Sequence, residues 1–360
     1  MSNGRIDGGF VYALSGASVS GGDRLFVGGT FDAAGPVGSQ VSATNIAMLN
    51  PNPTNNPTWS SLGTGAANGT DGEVHSLAAL QWFDYHPPFP GQTDRIMVYV
   101  GGVFDKAGNI TSHSIARWSG VGSYADGWHD IGGGVENNPI VDRVVYGIAV
   151  DSFMYENQTV LNGLYLTGNF SKTVSTVVNY NLAKWNGSTW RNIGNGLLKA
   201  GGQPDCSVTC GQYPSYLGRC AVFVNGTAYI GGNFDAVKDK NGTCNYLIVP
   251  DPCSPCGYSW FYKLSVAKVD STEVLSSGGC FHLHGDQAFG IARVGATPYV
   301  GGGFTADDFA QNFYAAKLVS GCWQSLPVQS GSPTTTVVSV TADSSSVYFA
   351  TGNGVFRYIH

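Results

Sequence analysis

Charge is scarce in this chain. Lys, Arg, Asp and Glu make up 12% of its 360 residues, with a formal net charge of −6, about half the usual charged fraction. An acidic chain without a basic patch excludes nucleic acid as a partner, because phosphate recognition needs clustered cations. Long apolar runs are absent too: nothing approaches the ~18 residues of a spanning helix, so no membrane-spanning segment is expected. No leader is visible at Met1, which reads as a mature or trimmed form. There is no Asp-x-Asp-x-Asp-Gly calcium loop and no Gly-x-Ser-x-Gly nucleophile elbow. Paired carboxylates supplied by distant segments stay open, since they leave no linear signature.

Glycine is abundant instead, at 51 residues, about twice average usage. Many of these glycines belong to a three-part phrase. Its clearest copy runs Val98-Tyr99-Val100-Gly101-Gly102-Val103-Phe104-Asp105, then Ser114-Ile115-Ala116-Arg117-Trp118, then Trp128-His129-Asp130-Ile131-Gly132. The first part recurs at Leu25–Asp32, Leu164–Phe170, Ala228–Asp235, Pro298–Phe304 and, eroded, Val347–Thr351. The second recurs at Asn45–Leu49, Asn181–Trp185, Ser265–Val269, Tyr314–Leu318 and Val355–Tyr358, and the third around Trp59, Trp190 and Trp323. Copies start roughly 50 to 75 residues apart, a spacing typical of propeller blades.

Each part is a short aromatic and β-branched run bounded by turn residues, which reads as a strand. A further apolar run precedes each Gly-Gly strand, so each repeat has four strands, A to D. The expected fold is all-β: a single six-bladed propeller over 1–360, built of four-stranded antiparallel blades. The blades lie near 10–65, 74–134, 144–196, 220–279, 288–330 and 337–360, the last completed by 2–9. Ile6-Asp7-Gly8-Gly9 echoes Ile131-Gly132-Gly133-Gly134. It is therefore expected to pair with Val355–Tyr358 and close the ring, which would remove exposed sheet edges. An insertion at 236–263 interrupts the fourth repeat.

Eight cysteines crowd into the second half: Cys206, Cys210, Cys220, Cys244, Cys253, Cys256, Cys280 and Cys322. Cys253-x-x-Cys256 with His282-x-His284 nearby has metal-like spacing. Asn-x-Ser/Thr sequons stand at Asn68, Asn109, Asn157, Asn186, Asn225 and Asn241, and at Asn169 on a strand end expected to be too buried for modification. Sequons on loops together with an even cysteine count favour an extracellular or cell-surface glycoprotein with all eight cysteines oxidised, rather than a zinc protein. No metal ligand, catalytic residue or cofactor is assigned.

The phrase hydrophobic-Tyr-hydrophobic-Gly-Gly-x-Phe, Ala-Arg/Lys-Trp, Trp-x-x-Ile/Leu-Gly is similar to kelch-type propeller repeats. It resembles more closely the repeats in the extracellular part of fungal cortical cell-polarity markers and related bacterial Gly-Gly-x-Phe repeats. The resemblance spans about Phe10 to Tyr358 and implies the fold, not an activity. Thr167-Gly168 and Ala350-Thr351 depart from it. Galactose oxidase also carries kelch-type blades, but copper needs at least two converging His with a Tyr, and His282 and His284 have no matching second group.

Asp32, Asp105 and Asp235 follow the Gly-Gly-x-Phe phrase and read as turn caps rather than a ring of cation ligands. Arg117, Lys184, Lys268, Lys317 and Arg357 follow the strand C alanine; on a covered sheet face each needs a partner or must snorkel outward. The stretch Trp82–Pro90 reads as an exposed aromatic loop. Its Trp82, Phe83, Tyr85 and Phe89 are the expected interaction residues. The expected function is a non-catalytic structural or interaction module, a possible subunit of an extracellular assembly, contacting itself or another extracellular protein. The alternatives are a lectin-like glycan binder and a carbohydrate-active enzyme.

Overall fold

The computed structural model describes residues 6–19, 22–51, 57–85, 92–120, 127–136, 143–156, 158–174, 181–194, 196–202, 208–211, 217–234, 236–238, 244–250, 258–262, 265–270, 275–277, 283–306, 312–326 and 335–360. Among the described residues the chain is all-β apart from one 3-10 turn at Gly65–Ala67. It divides into two compact units. The first is Met1–Leu164, Phe170–Val177 and Trp185–Trp190; the second is Tyr165–Asn169, Val178–Lys184 and Arg191–His360.

In the first unit the strands Phe10–Val19, Gly22–Thr30, Ile46–Asn50 and Thr58–Ser61 form one antiparallel sheet in chain order. Glu73–Tyr85, Gln92–Val103, Ile115–Gly120 and Gly127–Asp130 form the next. A further four-stranded sheet has the order Val144–Tyr155, Gln158–Asn169, Leu182–Trp185, Trp190–Asn192. In the second unit the pattern recurs at Leu217–Val224, Thr227–Asn233, Val266–Val269, Leu275–Ser277 and at Leu283–Val294, Thr297–Ala306, Asn312–Val319, Cys322–Ser325. The last sheet has three strands, Val337–Ala342, Ser346–Thr351 and Gly354–Ile359. The insertion in the fourth repeat builds strands of its own: Cys244–Pro250 and Tyr258–Tyr262 extend a five-stranded sheet with Ala236–Lys238, Gly196–Gly202 and Val208–Gly211.

The Gly-Gly pairs have a packing cause. A Cβ on Gly28 would stand 2.5 Å from Val74, and one on Gly101 would stand 2.6 Å from Val145. The first glycine of the pair is thus the seat for an apolar side chain from strand A of the following sheet. Gly301 seats Val337 in the same way, and Gly231 seats Ala288 at 3.0 Å. The seated residue comes just before a β-bulge in strand A, between Val74 and Ser76, Ala288 and Gly290, and Val337 and Ser339. Thr167 breaks the rule, and its partner breaks it in the complementary sense: the facing pre-bulge residue is Gly218, whose added Cβ would collide with the Thr167 hydroxyl.

The second glycine donates its N–H to the residue that starts strand C: Gly29 to Asn45, Gly102 to Ser114, Gly168 to Asn181 and Gly232 to Ser265. Asn45, Ser114 and Asn181 hold φ of 62°, 65° and 64°. Asn tolerates this left-handed region better than other side chains, and Ser114 adopts it despite lacking that tolerance. These bonds close the base of the loop that leaves strand B and returns as strand C.

The segment before strand A makes a small latch with the segment after strand B. Ile6–Asp7 pairs with Ala33–Ala34, Val135–Glu136 with Lys172–Thr173, and Gly196–Leu198 with Ala236–Lys238. The expected pairing of the N-terminal strand with Val355–Tyr358 is therefore corrected. Ile6–Asp7 corresponds to Val135–Glu136, not to Ile131–Gly132, and Asp7 is held by Asp32 N–H and by Gln40 Nε2 at 2.9 Å. Gly354–Ile359 pairs with Ser346–Thr351.

Disulfide bonding of all eight cysteines is also corrected. Cys220 is a free thiol. Its Sγ lies over the Gly231 seat and 4.0 Å from the Ala288 carbonyl, and burial pushes its pKa up to about 12. It serves as a small packing residue. Cys322 is disulfide-bonded. The side chains of Cys206, Cys210, Cys244, Cys253, Cys256 and Cys280 lie outside the described residues.

Two tests follow from this packing. Gly218→Val should lose about 3 kcal/mol or more by overpacking against Thr167. The double variant Thr167→Gly/Gly218→Val recreates the seat found elsewhere and should recover most of that loss in denaturant melts; additive losses would show that the two residues do not share one seat. With Cys220 free, the other seven cysteines are an odd number. Thiol titration in denaturant without reductant should therefore find two thiols per chain, or one thiol together with a covalent dimer. Finding none would refute the free Cys220.

Candidate functional site

The recurring cations of strand C have partners. Register places Arg117 opposite Tyr99, Lys268 opposite Tyr229, Lys317 opposite Tyr299 and Arg357 opposite Tyr348, each pair spanning strands B and C. The Lys184 ammonium sits 5.2 Å from the Tyr165 ring centroid, and the Arg357 guanidinium 6.0 Å from that of Tyr348. Lys184 is buried, which such a cation–ring contact makes tolerable. The first sheet omits the pair altogether, with Phe26 opposite Met48.

One of these rows faces a cavity. On the second sheet Tyr99, Arg117 and His129 stand side by side across three strands. Together with Trp82, Thr159 and Trp185 they line a cavity of about 400 Å³. All of these residues belong to the first unit. Trp185 is fixed by Trp190, at 5.2 Å between ring centroids, and by Gly132, which leaves no room for a Cβ beside it. The Trp190 indole N–H donates to the Gly132 carbonyl at 3.1 Å. Thr159 Oγ1 accepts from the Phe83 N–H at 2.9 Å, tying the hairpin that carries Trp82 to the neighbouring one.

Among the polar groups of this cavity Arg117 and Tyr99 are donors, while His129 can donate or accept. Arg117 Nε is buried and has no hydrogen-bond partner among the described residues. Tyr99 is 2% exposed, and burial raises its pKa to about 12 against the pull of Arg117, so its hydroxyl stays protonated. Asp130 also lines the wall, but both its oxygens are engaged: Oδ1 accepts from Ser112 Oγ at 2.9 Å and Oδ2 from the Gly133 N–H at 2.7 Å.

The aromatic stretch lies differently from the expectation. Trp82 and Phe83 are half-buried strand residues, opposite Arg95 and Asp94 in a long hairpin, not members of an exposed loop. The Tyr85 side chain and all of Phe89 lie outside the described residues. Among the described residues the next hairpin carries exposed apolar side chains at its tip, with Phe153, Met154 and Tyr155 49%, 52% and 60% exposed. Thr159 Oγ1 reaches Met154 Sδ at 3.5 Å. No run of four aromatics marked this tip, so the sequence reading passed over it.

The Asp105 carboxylate pairs with Arg143 and with His113 at 3.2 Å, while the turn-capping role expected of it falls to Asp71 Oδ1, which accepts from the N–H groups of Asp105 and Lys106. Asp32 N–H bonds the Asp7 carbonyl, and Asp235 lies outside the described residues. His75, unremarked in the sequence, stacks on Tyr12 at 4.8 Å and meets Tyr146 edge-on at 5.3 Å. Among the described residues no three His, Cys, Asp or Glu converge as metal ligands would.

Of the sequons, Asn109 and Asn225 are exposed in turns, Asn225 and Gly226 taking φ of 46° and 80° in a tight hairpin. Asn186 is half-buried and its Oδ1 accepts from the N–H groups of Ser188 and Thr189. The Asn68 Nδ2, the atom a glycan would occupy, donates to the Ser42 carbonyl at 2.9 Å. Asn157 and Asn241 lie outside the described residues.

No family model and no curated protein matches the chain. Among solved structures it is similar to the crystal structure of Saccharomyces cerevisiae Sqt1, at 11% identity and a TM-score of 0.36, covering 100% of this chain and 86% of that one.

Tyr99 offers a stability test. Its folded pKa lies above the ordinary 10.0 at about 12. Between those values the folded state holds a proton that the unfolded state has released, so stability falls as pH rises through this window. Tyr99→Phe should flatten that alkaline decline in thermal melts; an identical decline would show that Tyr99 is not the group responsible.

Proposed function

We propose that the chain is a six-bladed propeller of kelch-like repeats that acts without catalysis, as an extracellular interaction module contacting copies of itself or another extracellular protein. The observation that carries this reading is the apolar hairpin tip Phe153-Met154-Tyr155, about half exposed. Large apolar side chains clustered at a tip cost solvation when left uncovered and give contact area to a partner. The use of the recurring strand C cations in packing supports the non-catalytic part, since the repeats then leave no spare charged ring. The paired state of Cys322 and the exposed sequons Asn109 and Asn225 support an oxidising, glycosylating compartment. A second reading, glycan binding, is favoured by the aromatic-walled cavity on the second sheet.

The test is a variant with Phe153, Met154 and Tyr155 all changed to Ser. Light scattering over a concentration series should show the parent protein self-associating, or pull-down from its own extracellular milieu should recover a partner, with the variant losing either while keeping its melting temperature. A parent that stays monomeric, recovers nothing and turns over a sugar substrate would replace this reading with an enzymatic one.

A further inference from the structure

The cavity of the second sheet is built from parts that suit one kind of ligand. Two indoles, Trp82 and Trp185, supply flat apolar surface, and Trp185 is held in place by Trp190 and Gly132. Such surfaces take the C–H face of a sugar ring or an aromatic ring. A volume of about 400 Å³ is at the small end of ligand sites, which run from roughly 300 Å³ upward. Between the aromatic walls Arg117 and Tyr99 offer donors, and His129 adds an imidazole that can donate or accept. Arg117 brings a guanidinium whose buried Nε has no hydrogen-bond partner among the described residues. Tyr99 adds a hydroxyl that stays protonated. The carboxylate of the wall, Asp130, has each oxygen engaged once, by Ser112 and by the Gly133 N–H.

A half-buried guanidinium beside a protonated hydroxyl suits an acceptor-rich anion, and Arg matches a carboxylate in shape as well as in charge. A buried guanidinium nitrogen without a partner is also costly, so a ligand that satisfies it gains what the empty cavity loses. Where Lys184 lies over Tyr165 the cation is used up by its own sheet; where Arg117 stands opposite Tyr99 both line open space.

We propose that this cavity binds a carboxylate-bearing sugar residue, such as a uronic acid at the end of a glycan, with Arg117 on the carboxylate and Trp82 and Trp185 against the ring. It goes beyond the interaction reading and does not need the hairpin tip to be a contact surface.

The experiment titrates the intact chain with methyl glucuronide, with methyl glucoside and with benzoate, each up to about 10 mM, enough to saturate a site with Kd near 1 mM. Calorimetry should show binding of the glucuronide at least about tenfold tighter than of the neutral glycoside, the loss expected when a charged hydrogen bond has no counterpart. Arg117→Met keeps the side-chain length and should remove this preference; Trp185→Leu should weaken all glycoside binding. Melting temperatures of both variants, and the assembly of Arg117→Met, report on folding separately. No glucuronide binding, equal binding of the neutral glycoside, tighter binding of benzoate, or a folded Arg117→Met that binds glucuronide as before would each overturn the proposal. The hairpin-tip variant should bind glucuronide normally, so failure of one reading is distinguishable from failure of the other.

Discussion

The structure depends on how closely one sheet can approach the next. That distance is set where a strand A side chain sits on the first glycine of a strand B pair: Val74 on Gly28, Val145 on Gly101, Ala288 on Gly231, Val337 on Gly301. A methyl group added at any of these glycines would have to push a whole strand away, and interiors packed to crystal density transmit such a shift rather than absorb it. The β-bulge after the seated residue turns strand A so that this one side chain points into the seat. The exchange at Thr167 and Gly218 shows that the constraint is the summed volume of the two positions, not glycine as such. The same site explains the second glycine, whose N–H is needed at once by the carbonyl that opens strand C.

Within each sheet a tyrosine on strand B and a cation on strand C lie opposite one another on adjacent strands. The ring covers the alkyl stem and offers its face to the charge, so a buried cation such as Lys184 needs no carboxylate. Replacing both members by Phe26 and Met48 in the first sheet keeps the volume and drops the charge, as expected of a packing device. The device recurs because the sheet geometry recurs, not because each sheet has a reaction to run.

The parts legible in the sequence were those with a period. Alternating aromatic and small residues, bounded by glycine and asparagine, gave away strands A to D, since a half-buried sheet must alternate. The two-residue latches had no period to reveal them. Ile6-Asp7-Gly8-Gly9 looked like Ile131-Gly132-Gly133-Gly134 because both put an isoleucine before glycines, yet the hydrogen bonds of Asp7 belong to a latch. Trp82 and Phe83 read as a loop because proline follows them closely, while the hairpin in fact runs on beyond the repeat and buries half of each ring. Cys220 read as one of an even set, but a thiol opposite a glycine seat is chosen for its size. The cavity was illegible for a different reason: Trp82, Arg117, Thr159 and Trp185 come from separate strands whose register alone brings them together.

That origin also bears on what the cavity is. A repeat architecture fills its interior by default, since each row copies a solution that already packs. An unfilled row therefore marks a place where the copies diverge. Around Tyr99 and Arg117 the divergence lies in the neighbours rather than in the pair: the long hairpin carrying Trp82, the Thr159 bond that anchors it and the Trp185–Trp190 contact hold the walls apart. The buried Nε of Arg117 faces that gap with no hydrogen-bond partner among the described residues, where Lys184 and Arg357 lie against tyrosine rings, so this row keeps a donor available to something from outside the chain.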